Sequence, residues 1–225
     1  MHIPDGFLDT KTLISTAVVS AGAVSYGIRK ANEKLGEKQV PLLGLTAAFV
    51  FAAQMLNFPV AGGTSGHFLG AVLAAILLGP WMACLVMTVV LAIQCLGFAD
   101  GGLTALGANV FNMGVIGGII CYYIFLAIKK ALPKTKVGFL SSVAVVSWFS
   151  VVLASSVCAI ELAISGTSPL AVVLPAMAGV HMLIGIGEAI ITTTVVSLVL
   201  SARPDLVTTY DRSAFSIGGA SHVAE

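Results

Sequence analysis

The stretch Gly138–Ala163, GFLSSVAVVSWFSVVLASSVCAIELA, decides the class of fold. It carries one charged residue, Glu161, near its end. It is also longer than the ~20 residues an α-helix needs to cross the hydrocarbon core of a bilayer. The whole chain shares this character. Of its 225 residues 58% are hydrophobic and 9% charged, and the mean hydropathy is +1.03. Soluble domains average about 25% charged residues, so this chain lacks the polar residues to clothe itself in water. An integral membrane protein is predicted. The net charge of +1 says nothing about a partner, because the charges are segregated by position, and with no basic stripe of interleaved aromatics nucleic-acid binding is not suggested.

Working outward, apolar runs cover about residues 12–28, 42–57, 67–79, 80–97 and 106–128 before this stretch. After it, 170–201 is too long for one straight span and carries Pro175, so a short first segment followed by a helix from about residue 177 is predicted. The expectation is an all-α polytopic membrane protein of about seven transmembrane helices. Residues 1–202 would form one domain, and 203–225 a polar, mobile cytoplasmic tail. Of the eleven basic residues, ten follow spans one, five and seven, and only Lys11 lies on the other side. Basic residues favour the cytoplasmic face, which puts the C-terminus inside and the N-terminus outside. The terminus and the loops at 58–67, 98–105 and 161–169 would then share the outer face.

Other signals are negative. Cys84, Cys95, Cys121 and Cys158 lie in or beside apolar runs without a CxxC pair, which suits packing better than zinc or disulfides. Asp5 and Asp9 precede the first apolar run, against a cleavable signal peptide, so Met1 is expected to be retained with a free amine. No internal repeat or phosphate-binding Gly-x-x-x-x-Gly-Lys-Ser/Thr loop occurs. Any ATPase that drives transport would therefore be on another chain.

The densest ligand chemistry lies in Met1-His2-Ile3-Pro4-Asp5-Gly6-Phe7-Leu8. The Met1 amine, the His2 backbone nitrogen and the His2 imidazole can close two small chelate rings on one divalent metal. Pro4 and Gly6 turn the chain so that it can fold back. A frayed terminus is the competing reading. His67, at the junction of a glycine-rich loop and the third run, would complete a four-nitrogen square, and an interfacial histidine capping a helix is its alternative. Planar nitrogen donors suit Ni(II) or Cu(II) better than zinc. Thr64 and Ser65 could orient an imidazole, and Asp5, Asp100, Asn109 and Asn112 are polar groups near the same face. His181 and Glu188 lie seven apart, about two turns along one helix face. Ionisable groups inside a span are costly and often functional; a pair that pins helix packing is the other reading.

Three segments together, Met1–Leu8, Gly62-Gly63-Thr64-Ser65-Gly66-His67-Phe68-Leu69-Gly70 and Ala99-Asp100-Gly101-Gly102-Leu103-Thr104-Ala105-Leu106-Gly107, resemble the CbiM/NikM family of substrate-capture subunits in energy-coupling-factor (ECF) transporters for cobalt and nickel. The resemblance covers essentially residues 1–200 and leaves the tail out. It implies seven helical spans and Ni2+ (or Co2+) as transported substrate. The metal would be held by the Met1 amine, the His2 amide and imidazole, and His67. Implied partners are a transmembrane coupling subunit, two ATPase subunits and a small accessory membrane subunit, none fused here. A transport subunit rather than an enzyme is expected. The rival reading is a stand-alone secondary transporter or channel using His181 and Glu188. An intramembrane metal enzyme lacks a nucleophile–base pair. Nickel and cobalt are not separated by these donors.

Overall fold

A computed structural model describes residues 1–34, 36 and 39–210. Each apolar run is helical: α1 Thr10–Lys34, α2 Gln39–Gln54, α3 Ala71–Leu78, α4 Pro80–Phe98, then a rod of α5 Leu106–Val110, a π-helical segment Phe111–Ile120 and α6 Cys121–Ala131, followed by α7 Lys136–Ile164 and α8 Leu170–Ala202. The rods run alternately up and down, so loops gather at two ends of one bundle. Four of them, α4, α5–α6, α7 and α8, are long and apolar enough to cross a membrane.

Local chemistry sets the boundaries. Asp9 begins α1: its carboxylate accepts from the Lys11 and Thr12 amides at 2.8 and 3.1 Å, satisfying donors that a helix start leaves orphaned. Thr135 caps α7 by accepting from the Gly138 amide at 3.0 Å. Gly107 brings α1 and α5 together, since a β-carbon there would stand 2.7 Å from Ala17. Ser20 ties the same contact by donating to the Gly107 carbonyl at 2.7 Å.

The structure departs from the sequence expectations in four places. The all-helical pattern is interrupted by a short antiparallel hairpin, β1 Asn57–Pro59 with β2 Ser65–His67. The third run does not make a full span. Its helix is eight residues long, about 12 Å at 1.5 Å per residue, and residues 67–70 reach it as buried extended chain ending at Gly70 in the left-handed region (φ 76°). The last run is one continuous helix from Leu170, with Pro175 inside it. Proline frees the carbonyl four residues earlier; here that is Ala171, in the exposed first turn, where water can satisfy it. Finally, residues 203–210 are packed rather than loose. A 3-10 turn at Pro204–Leu206 buries Val207, and Tyr210 sits edge-on to Phe139 at 5.0 Å. The expected tail from 211 to 225 lies outside the described residues.

The largest apolar core includes the N-terminus itself: Met1 and Ile3 have no exposed surface and pack with Val50, Val60, Leu69, Cys158 and Met177. The terminus is therefore a core element, fed in from one end of the bundle.

Candidate metal centre at the folded-back N-terminus

Every loop at that end holds the N-terminal arm. The Met1 amine donates to the Ser65 carbonyl and to Ser65 Oγ at 2.9 Å. The His2 amide donates to the same hydroxyl at 3.2 Å. Asn109 grips Ile3 from both sides, its Oδ1 accepting from the Ile3 amide at 2.8 Å and its Nδ2 donating to the carbonyl at 3.2 Å. The Gly102 amide also donates to that carbonyl, at 2.8 Å. The Asp5 carboxylate accepts from the Leu103 and Thr104 amides and the Thr104 hydroxyl. The Thr167 hydroxyl donates to the Phe7 carbonyl, and Ser165 donates to Asp9 at 3.0 Å. The turn made possible by Pro4 and Gly6 (φ 82°) is thus pinned along its length.

His2 and His67 meet inside this wrap, with stacked rings 4.4 Å apart at 20°. His67 directs Nδ1 at the Phe68 carbonyl, 2.7 Å away. That bond fixes the tautomer and leaves Nε2 with a lone pair, and Nε2 is buried without a hydrogen-bond partner. His2 Nδ1 lies 2.7 Å from Asp100 Oδ1, and Asn57 Nδ2 donates to Oδ2 of the same carboxylate at 3.0 Å. An open cleft of about 660 Å³ reaches the site past His2, Asp5, Ser65, Cys95 and Asp100.

The electrostatics favour neutral nitrogen donors. Burial lowers the Met1 amine from 8.0 to about 5, against the opposing pull of Cys158 and Asp100. Burial likewise lowers His2, with the Asp100 hydrogen bond working the other way. His67 is pushed well below its ordinary value, first by burial and then by the neighbouring amine, His2 and His181. Burial alone would raise Asp100, but the His2 ring, the amine and Asn57 outweigh it and lower it overall. Among the described residues no three His, Cys, Asp or Glu side chains converge as a metal-binding group. What concentrates donors here is the backbone: an amine and an amide beside two imidazoles.

The model of the CbiM family, described as "Cobalt uptake substrate-specific transmembrane region", matches residues 2–206. The chain belongs to the CbiM family. Among similar proteins, a putative fused nickel transport protein NikMN of Archaeoglobus fulgidus is 44% identical over 209 residues, covering 92% of this chain and 68% of the relative. A putative metal transport protein of Haloquadratum walsbyi is 40% identical over 211 residues, covering 93% and 94%. A crystal structure described as a truncated transition metal transporter superposes with a TM-score of 0.83 at 35% identity, covering 90% of this chain and 99% of that one. This CbiM-family chain is accordingly a multi-pass membrane protein.

The remaining residues singled out in the sequence are placed unequally. Ser65 is central, whereas the Thr64 hydroxyl lies 4.0 Å from the Cys158 sulfur. His181, on α8, is buried, with Nδ1 on the Met177 carbonyl at 2.7 Å and Nε2 unpartnered next to the Ser65 backbone. Glu188 is deeper and spends both oxygens on backbone amides, Leu69 at 2.7 Å and Gly70 at 2.8 Å. Asn112 donates to Glu161 at 2.6 Å, joining the π-helical segment to α7.

Two residues escaped the sequence reading. Gln94 is fully buried with both amide atoms unpartnered, adjacent to the His2 ring. Gln54, also fully buried, donates to the Leu69 carbonyl at 2.7 Å. Gln94 is the one carboxamide in the 80–98 run, a signal that was available.

Proposed function

We propose that this protein is the metal-capturing membrane subunit of an ATP-driven ECF-type uptake transporter, with Ni(II), or Co(II), as its substrate. The ion is held by the Met1 amine, the His2 amide nitrogen and imidazole, and His67 Nε2. The observation that carries this reading is the buried convergence of the amine and the His2 amide on Ser65 beside the stacked His2 and His67 rings. Amine and amide close a five-membered ring, and amide and Nδ1 a six-membered one. Only Nδ1 of His2 can close the second ring, so the ion displaces Asp100 from that nitrogen. A deprotonated amide favours a low-spin d8 ion, and a planar four-nitrogen site suits Ni(II).

Capture occurs from the outer face. Support comes from the basic residues at the ends of α1, α6 and α8 opposite the site, which the positive-inside pattern assigns to the cytoplasm. Inward transfer requires rearrangement driven by separate subunits: a transmembrane coupling protein, two ATPases and a small accessory membrane protein. Met1 has no exposed surface, so a single residue added before it should abolish high-affinity binding. Nickel titration by calorimetry and absorbance tests this. The native chain should bind with a yellow d–d band of a square-planar site. Undiminished affinity in the extended form would overturn the chelate.

A further inference from the structure

The short α3 leaves a problem that the metal-binding residues do not solve. Residues 67–70 lie within the bundle as non-helical chain, and backbone groups at membrane depth must find partners in the protein. Two side chains from separate helices supply them. Glu188 of α8 takes the Leu69 and Gly70 amides on its two oxygens, and Gln54 of α2 donates to the Leu69 carbonyl. Both are buried, at 1% and 0% exposure. The Leu69 peptide is therefore held on both edges, two residues from His67. Between them the Phe68 carbonyl holds the His67 ring by Nδ1.

We propose that Glu188 and Gln54 are positioning residues for His67: together they fix the peptide frame that aims its Nε2 at the N-terminal donors. The role rests on the four-nitrogen reading above. It goes beyond capping α3, because the Leu69–Phe68–His67 chain leads from both clamps to the ligand. It also gives α2 and α8 a grip on one metal ligand, so relative movement of the two helices would withdraw His67 while leaving the Met1–His2 chelate in place.

The test uses the full chain in nanodiscs, with nickel titrated by absorbance and calorimetry. Glu188→Gln keeps the volume but sets an NH2 group against a backbone amide that needs an acceptor. It should weaken nickel binding about tenfold or more, the range seen when groups that orient a metal ligand are lost, and shift the d–d band toward that of His67→Ala. In the His67→Ala background the same change should cost almost nothing, because its route to the metal is gone. A wild-type band and affinity in Glu188→Gln, or an equal loss in both backgrounds, would overturn the proposal. Should Glu188→Gln fail to fold, Gln54→Met carries the same comparison, with a severalfold loss expected and an unchanged band overturning it. A wild-type band that His67→Ala leaves untouched would instead reject His67 as a ligand, and the four-nitrogen reading with it.

Discussion

An N-terminal amine normally stays in water, where its charge is cheap. Here Met1 is fully buried and its amine is lowered to about 5. The sign of the pH effect follows. Between about 5 and the ordinary 8.0 the folded protein leaves the amine neutral while the unfolded chain protonates it. The docked arm is thus favoured above the upper value and loses ground as pH falls toward the lower one. For the chelate proposed above, the His2 amide proton alone would then leave above about pH 5. Affinity should rise about tenfold per pH unit there, and more steeply below, where the amine must discharge too. Calorimetry in two buffers of different ionisation enthalpy counts these protons; release of two near pH 7 would mean that the folded amine is charged. Met1, His2 and His67 stood out in the sequence as candidate ligands, because an amine, an amide and an imidazole lie within two residues and His67 follows a glycine-rich run. Gln94 and Gln54 were not. A lone amide in an apolar run shows nothing until its neighbours, one from the arm and one from 15 residues on, are folded against it.

At the scale of elements, hydropathy located every rod but misjudged what α3 is. An apolar extended segment and an apolar helix look alike in composition, and the feature that separates them, Glu188 reaching Leu69 across 119 residues, is a tertiary contact. The π-helical segment is invisible for the same reason. Two glycines test the loops that hold the site. A β-carbon at Gly102 would meet the Asp5 amide nitrogen at 2.3 Å and Asp5 Oδ1 at 2.4 Å. Gly102→Ala should therefore push the N-terminal arm aside, weakening nickel binding and loosening Met1 and Ile3 from the core, with some loss of thermal stability. Gly70 combines positive φ with a β-carbon position 2.7 Å from Val50. Gly70→Ala should cost about 2–5 kcal/mol from backbone strain and overpacking together and lower the melting temperature of the whole bundle. The two variants should separate in a thermal-shift assay, Gly70→Ala melting earlier than Gly102→Ala.

The candidate site lies at one end of the bundle, and among the described residues Arg29, Lys30 and Lys129 lie at the other, with Lys11 on the site's side. Lys129 reaches the Thr209 carbonyl, and Arg29 and Lys30 pair with Glu33 near the foot of α1. The proposed orientation is checked by labelling intact cells with an impermeant maleimide. A cysteine replacing Leu103, 59% exposed in the loop over the site, should react. One replacing Val137, 74% exposed at the opposite end, should react only after permeabilisation. The reverse pattern would invert the assignment.

The arm's partners also dictate when it can settle. Its hydrogen bonds reach forward 64, 98, 106 and 160 residues, to Ser65, Asp100, Asn109 and Thr167. At ribosomal speeds of about 5–20 residues per second, the arm, made first, waits on the order of ten seconds before its last anchor, Thr167, exists. A chain interrupted before α7 and α8 would have most of its helices in the lipid and its arm still without the Ser165 and Thr167 anchors. A fully pinned arm would thus report that synthesis has run nearly to its end, with one of the oldest segments of the polypeptide among the last to be put in place.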